Sequence, residues 1–219
     1  MKPGEHQQEE FYESLDGFRS SLQEAQQAIA GSVTLNAYPT TGEHVVDLTA
    51  VNTPEEVARI VEDKPKGVEM LEGVARIWCE QLQKIIIENE QLRQEPDNIG
   101  PRAELEWWKQ VMAKFDGVLG QIKRPDCVKV VTILYRAKSK VLTEWKRLDE
   151  MVTLALNEAK DNVKYLTALD KFCGPLYRSN PADMKESVPG LMNAIRMIHS
   201  ISGYYNTSER MTALCVKVG

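Results

Sequence analysis

Between Gly100 and Ile122, the apolar residues Leu105, Trp108, Met112, Phe115, Leu119 and Ile122 recur three and four residues apart. That spacing puts them on one face of an α-helix and excludes a strand, whose faces alternate every second residue. Gly100-Pro101 supplies the start, since proline suits a first helical position that needs no amide donor. Glu104 and Glu106 lie where negative charge complements the positive end of the helix dipole. Val111, Val118 and Trp107 form a second apolar edge. Adjacent tryptophans point about 100° apart on a helix, so Trp108 fills a core while Trp107 meets a second surface.

The same rhythm recurs along the chain. Phe11, Leu15, Phe18, Leu22, Ala25 and Ile29 predict an amphipathic helix from about His6 to Ala30, stopped by Gly31. Residues 1–30 carry six acidic side chains against Lys2 and Arg19, which fits either a solvated face or a basic partner. From Ser32 to Thr49 the pattern turns to alternation around Tyr38-Pro39-Thr40-Thr41-Gly42, predicting an extended strap or hairpin and a flexible boundary. Thr53-Pro54-Glu55-Glu56 combines a cap, a first-position proline and a capping-box glutamate, so a short helix should run to Asp63 and break at Lys64-Pro65-Lys66-Gly67.

A helix over about Val68–Gln94 places Leu71, Val74, Trp78, Leu82, Ile85 and Leu92 inward, with Ile86 and Ile87 widening the stripe. After Lys123-Arg124-Pro125 a helix should bury Val128, Val131, Leu134 and Tyr135. The longest pattern, Val141 to Phe172, predicts about 45 Å of helix ended by Gly174-Pro175, the spine of a bundle. Asn180-Pro181 should begin a short helix and Pro189 another, with Leu191, Ala194, Ile195, Ile198 and Ile201 inward. Asn206-Thr207-Ser208-Glu209 caps the last element, in which Met211, Leu214 and Val218 should leave apolar surface uncovered. The expected fold is all-α, an elongated helical bundle. Its segments are an N-terminal helix (1–31), an extended strap (32–52) and the main bundle (53–219).

At 219 residues and 42% hydrophobic content the chain can bury one substantial core or two small ones. A net charge of −5 argues against broad nucleic-acid binding. No apolar run approaches the roughly 20 residues that span a bilayer, and the N-terminus lacks an apolar signal core, so no membrane role is expected and the cytoplasm is. Cys79, Cys127, Cys173 and Cys215 form no CxxC pair, and His6, His44 and His199 lack metal-ligand spacing. Without a phosphate-binding loop or dinucleotide fingerprint, neither cofactor nor catalysis is expected. The basic window Lys123–Arg147 holds eight Lys and Arg against Asp126 and Glu144. Lys138 and Lys140 could therefore meet an acidic partner, or simply belong to a solvated face.

Three stretches carry a resemblance: Gly100-Pro-Arg-Ala-Glu-Leu-Glu-Trp-Trp108, Asp161-Asn-Val-Lys-Tyr-Leu166, and Asn193 to Met211 with its Tyr-Tyr-Asn-Thr-Ser-Glu-Arg-Met run. In this order they resemble the tail of dynein heavy chains, the last being most similar to outer-arm axonemal ones. The resemblance implies a non-catalytic tail segment lacking the motor. It further implies association with other heavy chains, binding of intermediate and light chains, indirect contact with microtubules, and a place in the ciliary axoneme. A free-standing helical adaptor derived from such a tail is the alternative. Partner contacts are then expected at Phe11, Leu15, Phe18, Leu22, Trp107, Lys138, Lys140, Met211 and Leu214. Association through residues 1–31, and a weaker, nonspecific one through the C-terminal end, follow as expectations.

Overall fold

The computed structural model describes residues 34–92, 101–178 and 181–216. Seven α-helices follow a short 3-10 turn at Leu48–Ala50: α1 (Pro54–Asp63), α2 (Pro65–Leu92), α3 (Pro101–Ile122), α4 (Pro125–Arg136), α5 (Val141–Arg178), α6 (Pro181–Ile201) and α7 (Ser208–Val216). No strand occurs among the described residues, and the architecture is an all-α bundle. The expected helix over His6–Ala30 and the loop over 95–100 lie outside the described residues.

The 38-residue α5 is the spine. It packs most extensively on α3, then on α6 and α2, while α1 and α4 pair beside the start of α2. Trp145, Leu148, Val152, Ala159, Leu166 and Leu169 of α5 are all buried, as their spacing predicts. So are Leu105, Trp108, Phe115 and Ile122 of α3. Val111 and Val118 are buried as deeply as these, whereas Met112 and Leu119 are only half-buried. The seam of α3 is thus centred toward what the sequence suggests is an edge.

At α1 the Thr53 side chain accepts from the Glu56 amide and the Glu56 carboxylate accepts from the Thr53 amide, the expected capping box. Amide hydrogen bonds from Asn52 and Thr53 hold the Glu56 carboxyl below the usual carboxylate range. Lys64 alone separates α1 from α2, and Pro65 starts the next helix instead of ending order. Gly67 lies inside α2, where a Cβ would come within 2.9 Å of Val46 Cγ2. Its role is to let the strap pass close over the helix.

That strap is part of the core, contrary to the expectation of a flexible boundary. Leu35, Val46, Leu48 and Val51 are buried. The Leu35 amide donates to Gln121 Oε1 (2.6 Å), Trp78 Nε1 donates to the Asn36 carbonyl (2.8 Å), and Gln81 pairs with Asn36 through both ends of its amide. The Tyr38 hydroxyl closes the turn by donating to the Val46 carbonyl and accepting from the Val46 amide. Lys129 Nζ of α4 ties the strap's other end through the Leu48 carbonyl (2.8 Å).

Several faces differ from expectation. In α4 the buried residues are Cys127, Val130, Ile133 and Leu134, while Val128 and Tyr135 are exposed and Val131 half-buried. Two overlapping stripes were available, and the one chosen keeps the Tyr135 hydroxyl in water, where it needs no protein partner. Ile87 and Ile201 are exposed rather than inward. The spine helix continues through Gly174-Pro175 to Arg178, and Pro189 lies within α6 rather than opening a new helix. An internal proline forfeits one backbone hydrogen bond, a loss that packing of α6 along α5 outweighs. Met211 and Leu214 are buried within the chain, so α7 does not leave them uncovered.

Just after Pro189, a Cβ added to Gly190 would lie 2.5 Å from Phe172 Cε1. Gly190→Val is therefore expected to destabilise the bundle by about 1–3 kcal/mol through overpacking between α5 and α6. A urea melt unchanged from wild type would show that the Phe172 ring simply moves aside.

Candidate interaction site

The three sequence stretches singled out above meet at one junction. In α5, Asn162 is 1% exposed and accepts from Ser202 Oγ (2.9 Å) at the end of α6. The same Ser202 oxygen accepts from the amides of Tyr204 (3.1 Å) and Tyr205 (3.0 Å), folding the Gly203-Tyr204-Tyr205 turn back toward α3. Buried Tyr205 then accepts from Trp108 Nε1 (2.9 Å) and donates to Glu104 Oε2 (2.6 Å). Tyr204 meets Trp108 edge-on, with ring centres 5.4 Å apart, and the Arg210 guanidinium lies 4.0 Å from the centre of the Tyr204 ring. Except for Asn162 Nδ2, which is buried without a hydrogen-bond partner, these polar groups are spent on holding helices together. A hydroxyl that donates once and accepts twice, as Ser202 does, has a structural task.

A second feature faces solvent. The C-terminus of α4 closes with Lys138 at φ 56°, and the Ser139 and Lys138 amides donate back to the carbonyls of Leu134 and Tyr135. Glycine is the usual residue at this left-handed position, and a lysine there costs about 1 kcal/mol or more. Beside it Tyr135 is 68% exposed, with Lys146 Nζ 5.5 Å from its ring centre. Arg136, Lys138 and Lys140 are exposed around it. A cleft of about 700 Å³ opens between the start of α1 and α4, bordered by Val51, Pro54, Val57, Ala58 and Tyr135. Another of about 440 Å³ adjoins it, bordered by Tyr135, Arg136, Lys138, Leu142 and Lys146. The residues Tyr135 and Arg136 line both, so the two form one trough with an apolar floor and a cationic rim.

Of the residues expected to contact partners, Lys138 borders the smaller cleft, while Lys140 is exposed two residues on and borders neither. Trp107 is half-buried, its ring centre 4.7 Å from that of Trp108. Met211 and Leu214 belong to the core. Phe11, Leu15, Phe18 and Leu22 lie outside the described residues. Sequence reasoning passed over Tyr135 because its spacing suited burial, and Asn162 because a polar residue inside an apolar stripe gives no periodic signal. Burial pushes the Cys79 thiol up to about 11, which fits a small core thiol. Among the described residues no helix is long and apolar enough to cross a membrane.

Comparison with known proteins places this geometry in context. The family model for dynein heavy chain, N-terminal region 1, matches residues 68–219. Dynein axonemal heavy chain 5 of Rattus norvegicus is 47% identical over 211 residues, or 96% of this chain and 6% of that protein. Dynein axonemal heavy chain 8 of Mus musculus is 42% identical over 217 residues, covering 99% of this chain and 4% of its own length. The dynein gamma chain of the flagellar outer arm of Chlamydomonas reinhardtii is 32% identical over 210 residues, covering 96% and 4%. The chain thus spans about a twentieth of the length of these relatives.

Proposed function

This chain belongs to the dynein heavy chain family, and from that premise we propose that it acts as a non-catalytic tail segment in assembly of an axonemal dynein arm. In this role it joins heavy chains to one another and carries intermediate and light chains, within the cytoskeleton of the cilium. The match over residues 68–219 to an N-terminal region carries this reading. Its physical support is the junction of Asn162, Ser202, Tyr205, Trp108 and Glu104, which locks α3, α5 and the α6–α7 turn into one rigid body. Rigid helical bundles suit assembly work because they present long faces at fixed spacing. The rim around Tyr135, with Lys138 and the nearby Lys140, is the face offered to an acidic subunit, where exposed charge sets partner choice and association rate.

Affinity capture from ciliated cells with the tagged chain is expected to recover dynein heavy and intermediate chains. Charge reversal at Lys138 and Lys140 together is expected to reduce that recovery at least tenfold. Recovery of no dynein subunit would favour a free-standing helical adaptor instead.

A further inference from the structure

Along the larger cleft between α1 and α4, most polar side chains already have partners within the chain. Lys129 Nζ donates to the Leu48 carbonyl (2.8 Å) and to Asn52 Oδ1 (3.1 Å), and Asn52 Nδ2 donates to the Thr49 carbonyl (3.0 Å). The Thr53 hydroxyl accepts from the Glu56 amide, and the Thr132 hydroxyl donates back to the Val128 carbonyl (2.7 Å). Apart from the charges of Glu55 and Arg136, the cleft therefore offers an occupant apolar surface from Pro54, Val57, Ala58 and the Tyr135 ring. Small-molecule sites add placed polar groups that fix a ligand's orientation, and here those groups are spent. Val128, 49% exposed, continues the strip of Thr132 and Tyr135 one turn toward the start of α4. From Val128 to Tyr135 that strip is about 10 Å long, and it has the spacing of a seam between helices.

The smaller cleft, continuous with the first through Tyr135 and Arg136, is lined by Arg136, Lys138 and Lys146 and by no carboxylate. Elsewhere Arg76, Lys84, Arg102, Lys109, Arg147 and Lys160 each face a carboxylate at 2.6–3.8 Å. Among the described residues the three trough cations make no such pair, and Lys146 lies over the Tyr135 ring instead, 5.5 Å from its centre. Neighbouring like charges repel one another, and carboxylates brought among them replace that repulsion with attraction. The trough is thus apolar toward α1 and unpaired positive toward the start of α5.

We propose that this trough receives an amphipathic helix of another polypeptide, its apolar seam laid against Val57, Ala58, Thr132 and Tyr135 and carboxylates at one end facing Arg136, Lys138 and Lys146. The packed pair α1 and α4 forms the kind of groove that a third helix fills with its own ridges. A helix brings a seam and its flanking charge to one side together, whereas a strand would turn every second side chain away. The apolar part holds the occupant, and the cationic end sets its direction and selects against basic partners. The proposal deepens the assembly reading and rests on it only for the source of the helix, a subunit of the dynein arm.

The probe is a fluorescein-labelled peptide of leucine, glutamate and alanine, about five helical turns long, with leucines three and four apart and glutamates gathered toward one end. Fluorescence anisotropy with the full chain should show saturable binding. It should weaken at least tenfold in Thr132→Gln/Tyr135→Ser, in Lys138→Gln/Lys146→Gln, and in about 1 M salt, where screening acts within about 3 Å. All four side chains are exposed, so urea melts of both variants should match wild type. The same peptide with lysine for glutamate, or with its leucine spacing scrambled, should also bind at least tenfold more weakly. Equal binding of the scrambled peptide would show attraction by charge alone and overturn the groove, as would no binding by any of the peptides. A concentration-dependent dimer of the chain alone, abolished in Thr132→Gln/Tyr135→Ser, would assign the trough to a second copy and overturn the proposal. Capture from ciliated cells keeps the two readings apart. Dynein subunits recovered equally by wild type and Thr132→Gln/Tyr135→Ser would leave the assembly reading standing and overturn the trough. Peptide binding as expected, with no dynein subunit captured, would support the trough and remove the assembly reading.

Discussion

Trp108→Ala is expected to cost about 3–5 kcal/mol of folding stability, the range for truncating a fully buried large aromatic. Trp107→Ala should cost about 1–2 kcal/mol, since a half-buried ring loses less contact and water fills part of its place. The asymmetry follows from one helical step. Trp108 is 1% exposed, is flanked by Tyr204, and spends its indole N–H on Tyr205. Its loss opens a cavity at the point where α3 meets the α6–α7 turn, and the Tyr205 hydroxyl loses the Trp108 N–H as a donor. Against a typical total of 5–15 kcal/mol, such a loss removes a third or more of the stability. Trp108→Phe separates the two contributions, because it keeps most of the ring and deletes the N–H, for about 1–2 kcal/mol. Urea melts of the three variants decide the matter. Equal small losses at both tryptophans would mean that the junction does not hold α3 in place.

Trp108 was legible from spacing alone, and so was the capping box at Thr53 and Glu56, because each follows from local chain geometry. The junction was legible only as three separate resemblances. Nothing in the spacing says that Asn162 faces Ser202 or that Tyr205 reaches Glu104, since those contacts join residues 40 and 101 positions apart. Proline misled in both places where α5 and α6 are concerned. Gly174-Pro175 and Pro189 are strong local stop signals, yet packing between the two helices outweighs one missing hydrogen bond at each proline. At α4 two stripes one residue apart share the three-and-four spacing, so periodicity could not choose between Tyr135 inside and Cys127 inside. The choice is tertiary: α1 and α2 pack on the face bearing Cys127, Val130 and Ile133, leaving Tyr135 among lysines. The basic window was visible in composition, but its trough depends on how α1 sits beside α4. Met211 and Leu214 show the same limit, because apolar residues in a short terminal helix do not reveal whether their own chain covers them.

The strap gives the other large effect. Trp78→Ala is also expected to cost about 3–5 kcal/mol, with a consequence that Trp108→Ala lacks. The Trp78 ring is fully buried, lies 5.9 Å from Trp145 between α2 and α5, and donates its N–H to the Asn36 carbonyl. One side chain therefore supports the bundle on one side and anchors the strap on the other. Among the described residues the strap has no ladder of backbone hydrogen bonds to neighbouring strands, and the side chains that anchor it include Trp78, Gln81, Gln121 and Lys129. Losing one should lower the free energy of local opening across residues 34–52 before the helices respond. Amide exchange in that stretch should quicken in Trp78→Ala under native conditions, while exchange in the α5 core around Leu166 and Leu169 remains tied to global unfolding. Trp78→Phe, which keeps the ring but not the N–H, should show about 1–2 kcal/mol of destabilisation and an intermediate rate in the strap. If Trp78→Ala lowers global stability but leaves exchange over 34–52 unchanged, the remaining anchors suffice and Trp78 acts only between the helices. If both quicken together, the strap and the bundle unfold as one cooperative unit, and the buried Leu35, Val46, Leu48 and Val51 are then as much a part of the core as the spine helix itself.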